Sequence, residues 1–225
     1  MNAFSAAFTR GLAHGVVSAV HLPEKLCDIP NATLQKLHAD ERAYAGNLTG
    51  HRRLQWIGGR LAARQAVRGL GKDMGALLTD ARGAPVPPNH LAVSISHKGA
   101  LAVAIASRRA HGSIGIDLEN IGRDRKHIAH KILRTEELEA IQTLPEERQW
   151  LAILLRFSLK EATYKALAPR LQRYIAFHEA SVDAVADGSA QVHLFLDSSD
   201  GPKSIDARYE WAPEGLITTV RARWH

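Results

Sequence analysis

Two short stretches carry residue types from which a phosphate-handling site is built. In Gly115-Ile-Asp-Leu-Glu119, Asp117 and Glu119 stand two apart; in Phe157-Ser-Leu-Lys-Glu-Ala-Thr-Tyr-Lys165, Glu161 and Lys165 stand four apart. On a strand the first pair leaves one face, its members about 7 Å apart along the chain. On a helix the second pair is adjacent, in the favourable order with the acid first. Carboxylate oxygens at a strand end suit Mg²⁺, which takes one or two carboxylates, keeps waters and accepts phosphate oxygens. Glu161 falls beside Ser158 at the border of its helix's apolar stripe, where desolvation raises a carboxylate's basicity and suits it to accept a proton. Lys160 points the other way. Each pattern also has a plain structural reading: two acids on a solvated strand end, and a surface ion pair worth about 0.3–0.5 kcal/mol.

Cations gather elsewhere. From Ala43 to Lys72 there is no Asp or Glu, while Arg52, Arg53, Arg60, Arg64, Arg68 and Lys72 are all present. Arg53, Arg60 and Arg64 share one flank of a helix, as a solvated face, a nucleic-acid patch or a phosphate clamp would require, since guanidinium grips phosphate with two parallel hydrogen bonds. Ser96-His97 enters a loop with Lys98 and Gly99, where a hydroxyl, an imidazole and backbone N–H groups can hold a phosphate. No Gly-x-Ser-x-Gly elbow, Walker loop or Gly-x-Gly-x-x-Gly is present.

The elements that must position these residues read as two α+β halves. Gly15 to Leu22 is a strand rich in β-branched residues, and Asn47 to Leu70 a helix with Thr49 as N-cap. Leu91–Ser96 and Leu101–Ser107 form a hairpin; Leu101, Val103 and Ile105 alternate with alanines, as in a strand packed on both faces. Ser113 to Glu119 is a third strand, with Ile114, Ile116 and Leu118 on the face opposite Gly115, Asp117 and Glu119. The basic stretch 120–130 is the crossing, which divides the chain into residues 1–119 and 120–225. A long helix opens at Pro145-Glu-Glu147 and is expected to end at Pro169, with Leu151, Leu155, Leu159, Ala162 and Ala166 as its buried stripe. The remainder reads as strands over 180–186, 191–196, 205–211 and 215–224.

Bulk properties narrow the function classes. With 225 residues, 45% hydrophobic and 23% charged, the chain can build one large core or two small ones. One cysteine, Cys27, excludes an internal disulfide framework and cysteine-rich zinc modules. No apolar run approaches the roughly 18 residues of a membrane span. The start lacks the early basic residues of a signal peptide, so a cytoplasmic protein is expected. A net charge of +6 favours an anionic partner.

Five motifs occur in order: Gly59-Arg-Leu-Ala-Ala-Arg64, Arg82-Gly-Ala-Pro85, Ser94-Ile-Ser-His97, Gly115-Ile-Asp-Leu-Glu119, and Phe157-Ser-Leu-Lys-Glu-Ala162 with Lys165. In this the chain resembles the 4′-phosphopantetheinyl transferases, in particular the two-half monomeric type that activates surfactin and enterobactin synthetases. The resemblance implies a pseudo-twofold α+β monomer with its active site in the cleft between the halves. It implies transfer of the phosphopantetheine arm of coenzyme A to a serine of an apo carrier protein, with release of adenosine 3′,5′-bisphosphate. Mg²⁺, replaceable by Mn²⁺, would be held by Asp117, Glu119 and Glu161. Glu161 would also act as base for the serine hydroxyl, with Lys165 as the second catalytic residue. Ser96 and His97 would meet the 3′-phosphate, Arg52, Arg60 and Arg82 the nucleotide phosphates, and Lys160 and Lys165 the pyrophosphate. The partners implied are acidic carrier domains of siderophore, non-ribosomal peptide or polyketide synthesis; a broad-range member would serve fatty-acid carriers too. No membrane and no nucleic acid are expected. A basic nucleic-acid-binding protein is the alternative from another class, and it leaves the three carboxylates unexplained. Two departures from the family pattern stand out: Phe157 replaces the usual leading Trp, and Ala84 the Lys of Gly-Lys-Pro, with Arg82 two residues earlier.

Overall fold

The computed structural model describes residues 4–196 and 201–224. Contacts divide the chain into two units, Met1–His111 and Gly112–His225. Both are α+β, as expected from the sequence.

The first unit contains β1 (Ala6–Leu12), β2 (Gly15–His21), α1 (Asn31–Leu34), α2 (Ala39–Gly46) and α3 (Gly50–Gly69). It continues with β3 (Leu78–Thr79), β4 (Pro85–Val86), β5 (Leu91–Lys98) and β6 (Leu101–Arg108). Its antiparallel sheet has the order β1-β2-β6-β5, with β3 and β4 as a separate two-residue ladder. The alternation in β6 is resolved as two buried faces; Ala102, Ala104 and Ala106 belong to the core of Leu54, Ile57 and Leu61 from α3. Short side chains on that face let a helix lie close to the strands.

The second unit contains β7 (Ser113–Glu119), α4 (Ala129–Ile132), α5 (Thr135–Gln142), α6 (Glu146–Leu171), β8 (Ala180–Ala184), β9 (Ser189–Leu194), β10 (Ser204–Ala212) and β11 (Gly215–Arg223). Its sheet order is β7-β11-β10-β9-β8. The boundary between halves expected after Glu119 therefore moves to 111/112. β7 pairs with β11 over its whole length, from Ser113 opposite Ala222 to Glu119 opposite Leu216. The stretch 120–130 is not a bare crossing, since it leads into the short helices α4 and α5 inside the second unit. Pro169 does not end α6. Proline fixes a φ that suits a helix and removes one hydrogen bond, and the chain continues to Leu171. The stop is Gln172, left-handed at φ 51°, whose N–H donates to the Ala168 carbonyl.

The units share a topology that residue identities conceal. In each, one strand (β2, β7) leads through two short helices to a long one, and the last strand returns antiparallel beside it (β6, β11). They also share a polar device. Glu41, third residue of α2, accepts from the His38 and Leu77 backbone N–H groups and from the Arg64 guanidinium of α3. Glu137, third residue of α5, accepts from the Arg134 and Val182 N–H groups and from Lys160 of α6. Both glutamates are buried. A buried pair satisfied in this way is costly to break by removing one partner, by about 3–5 kcal/mol.

Among the described residues no helix is long and apolar enough to cross a membrane.

One glycine sets the spacing in the second unit. A Cβ on Gly115 would overlap the Ala162 carbonyl oxygen and stand 2.8 Å from the Ala166 nitrogen. Only at a glycine can β7 come this close to the backbone of α6. We expect Gly115→Ala to lower unfolding free energy by about 1–3 kcal/mol or more in denaturant titration, and to reduce activity further, because the helix that carries Glu161 is displaced.

Candidate active site

The close approach at Gly115 brings Asp117, two residues along the same face, against α6. Asp117 is buried at 4% exposure, and both carboxylate oxygens are held. Lys165 Nζ donates to Oδ1 at 2.7 Å and to the Ile116 carbonyl at 3.1 Å. Ser158 Oγ donates to Oδ2 at 2.9 Å. Thr218, opposite Asp117 in the β7–β11 register, stands with its Oγ1 2.9 Å from Ser158 Oγ and donates to the Ser158 carbonyl. One strand carboxylate is thus gripped by two helix side chains about two turns apart, and a threonine of the neighbouring strand braces the grip. Glu119 is likewise buried.

Glu161 lies on the same helix between these contacts. Burial pushes its carboxyl above the usual range; Lys165 opposes the shift, while Asp117 and Glu119 add to it. The three carboxylates sense one another in a poorly solvated region with Lys165 as the nearby cation. Among the described residues, however, no group of three or more His, Cys, Asp or Glu side chains forms a ready cage for a metal ion. The expected ligand set Asp117, Glu119 and Glu161 is therefore not preformed as a closed triad, because Asp117 is oriented by Lys165 and Ser158. Beside Glu161 a cavity of about 60 Å³ is lined by Tyr164, Tyr174, Ile175, Ala176, Phe177 and Ala180, with Lys160 and Thr163.

Two expected phosphate ligands are used inside the protein. Lys160 is buried, and its Nζ donates to Glu137 and to the Ile132 and Phe177 carbonyls at 2.6, 2.9 and 3.1 Å. Burial lowers its pKa, and Glu137 counters that. Arg60, 4% exposed, donates to the Leu77 and Leu78 carbonyls and Thr79 Oγ1, and lies 4.2 Å over the Trp56 ring. Burial brings its pKa down to about 10, with Glu41 opposing. Arg64 is tied to Glu41 and to the Met74 and Gly75 carbonyls. The basic flank of α3 is thus largely an internal brace for residues 74–79 rather than a surface clamp.

Three of the other first-unit candidates lie nearer solvent. Arg52, Arg82 and His97 are exposed and Ser96 is buried. Arg82 projects from a turn in which Asp80 Oδ1 accepts the Arg82 and Ala84 N–H groups. Arg53, rather than Arg52, lines a cavity of about 520 Å³ at the start of α3, with Leu26, Asp28, Thr49 and Leu54. Its Nε is buried without a hydrogen-bond partner. Sequence reasoning missed Thr218, Glu41 and Glu137 as polar anchors. Ser158 was visible only as the neighbour of Glu161.

Comparison with known proteins bears on the same stretches. A model described as the 4′-phosphopantetheinyl transferase N-terminal domain matches residues 40–107, and one described as the 4′-phosphopantetheinyl transferase superfamily matches residues 113–219. The 4′-phosphopantetheinyl transferase Npt of Nocardia iowensis is 35% identical over 165 residues, 69% of this chain and 70% of that protein. The chain belongs to the 4′-phosphopantetheinyl transferases. It is accordingly similar, at 31% identity over 82% of its length and 77% of the relative's, to enterobactin synthase component D of Salmonella typhimurium. Among solved structures, the holo-[acyl-carrier-protein] synthase of Thermotoga maritima aligns with a TM-score of 0.41 and 22% identity, over 50% of this chain and 63% of that one. The two matched ranges of this transferase fall on either side of the 111/112 division.

The raised pKa of Glu161 has a signed consequence for stability. The folded chain holds this proton more tightly than the unfolded one, so wild-type stability declines as pH rises from the ordinary carboxyl value of 4.5 through the raised one. Glu161→Gln removes the penalty. In metal-free buffer its thermal midpoint should exceed that of the wild type at pH 8, and the gain should vanish below pH 4. A variant less stable than wild type at pH 8 would contradict this environment for Glu161.

Proposed function

We propose that this transferase moves the 4′-phosphopantetheine arm of coenzyme A to a carrier-protein serine with a divalent cation, Mg²⁺ by preference, at Asp117, Glu119 and Glu161. The observation that carries the reading is the buried, oriented Asp117 beside a Glu161 whose ionised form is disfavoured by burial and by two other carboxylates. The donors fit a hard cation: all are oxygens, negative charge is in excess over Lys165, and Mg²⁺ needs only one or two protein carboxylates when phosphate oxygens complete its shell. When bound, the cation would neutralise pyrophosphate charge and stabilise the leaving bisphosphate.

The serine oxygen attacks the β-phosphorus of coenzyme A, and the bond from that phosphorus to the bridging oxygen breaks. Glu161 takes the hydroxyl proton as general base. Lys165, 24% exposed, holds Asp117 in place and puts positive charge beside the departing phosphate. The arm begins at the reacting phosphorus, so it must leave from beside Glu161. The apolar cavity whose wall includes Glu161 is suited to take the first part of it. For the nucleotide end we assign Ser96 and His97 to the 3′-phosphate, with Arg52 and Arg82 as exposed phosphate contacts. Arg53, which lines the cavity at the start of α3, is assigned an additional anion contact. The net charge of +6 suits both coenzyme A and an acidic carrier domain. We place the enzyme among activators of siderophore or other assembly-line carriers, acting as a cytoplasmic monomer.

The direct test is mass spectrometry of apo carrier proteins incubated with the enzyme, coenzyme A and Mg²⁺. A chelator-sensitive gain of one phosphopantetheine, about 340 Da, is expected, and no gain on peptidyl, aryl or fatty-acid carriers would refute the reading. His97→Ala should weaken coenzyme A by about tenfold while leaving its 3′-dephospho analogue unaffected, as for loss of one charge-assisted contact. Equal losses for the two ligands would move His97 away from the 3′-phosphate.

A further inference from the structure

Lys160 is adjacent in sequence to Glu161 yet has its ammonium in the interior, at 1% side-chain exposure. It donates to three segments: to Ile132 at the end of α4, Glu137 in α5 and Phe177 in the short 3-10 turn before β8. Glu137 in turn binds the Val182 N–H of β8. The segment between α6 and β8 supplies Tyr174, Ile175, Ala176 and Phe177, four of the nine residues that line the cavity beside Glu161, opposite four from α6. The ion pair therefore fixes that wall to the helix that carries the proposed base. The first unit shows what such a device does. There Glu41 and Arg64 hold the equivalent segment after the long helix, through the Met74 and Gly75 carbonyls and the Leu77 N–H.

We propose that Glu137 and Lys160 are positioning residues for the transfer reaction. They set the distance between the cavity wall at Phe177 and Glu161, and so determine how tightly the pantetheine arm is gripped; the Lys160 ammonium is committed to Glu137 and two carbonyls, while its stem forms part of the cavity lining. The inference rests on the reading that this cavity takes the arm. A staple of this kind affects recognition of the arm and leaves recognition of the nucleotide unchanged, whereas a general loss of fold weakens both.

The test compares dissociation constants for coenzyme A and for adenosine 3′,5′-bisphosphate, which lacks the arm. Two variants are used. Glu137→Gln combined with Lys160→Met removes both buried charges together and avoids stranding either one. Glu137→Asp keeps the charge, withdraws it by one methylene, and serves where the double variant does not fold. Either folded variant should lose about tenfold in coenzyme A affinity, the scale of one displaced good contact, with bisphosphate affinity within about twofold of wild type. Equal losses for both ligands, or none for either, would overturn the positioning role. The wild-type comparison isolates the underlying reading. If coenzyme A binds wild type no tighter than the bisphosphate does, the cavity does not take the arm, and the proposal falls with that reading.

Discussion

The second unit depends on the closeness of β7 and α6. Gly115 has no Cβ, so the strand lies against the helix backbone at Ala162 and Ala166. At that separation an aspartate two residues on must enter the interface or leave the strand. Asp117 enters, and the interface supplies what a buried carboxylate requires: an ammonium from Lys165 and a hydroxyl from Ser158. Glu161 shares the poorly solvated surroundings without the same compensation, which is why its proton is held more tightly. The site's electrostatics thus follow from a packing distance, and that distance follows from one residue type.

The same physics explains which cations are available for a phosphate. A guanidinium or ammonium that is both buried and fully engaged by the chain has no donor to offer a ligand. Arg60, Arg64 and Lys160 are satisfied by carbonyls and buried glutamates, and their role is to hold loops against the two long helices. Arg52 and Arg82, on the surface, remain candidates for coenzyme A. The basic charge of the chain is therefore divided between cations committed to internal bracing and cations left at the surface.

Much of this was legible in the sequence because it is local. The i, i+2 spacing of Asp117 and Glu119, the isoleucine face opposite them and the helix bearing Glu161 are periodic signals. What was hidden is long-range. Nothing near Lys160 announces Glu137, 23 residues away, and nothing near Arg64 announces Glu41, so both cations looked like ligands for phosphate. The strand 113–119 follows the first hairpin in sequence, which suggested one continuous half, but its ladder partner is β11, a hundred residues later. Pro169 read as a stop because proline usually is one, whereas near a helix end its single missing hydrogen bond is tolerable. Thr218 carried no signal at all, since only the β7–β11 register sets it opposite Asp117.

The central claim is that Asp117 is held buried and oriented in order to bind a cation jointly with coenzyme A. It is tested most directly by measuring coenzyme A affinity for wild type and Asp117→Asn, each with and without Mg²⁺. The account predicts that Mg²⁺ tightens coenzyme A binding to the wild type and has no such effect on the variant, which should bind in both conditions as the wild type does without metal. Equal tightening in both proteins, or none in the wild type, would contradict it.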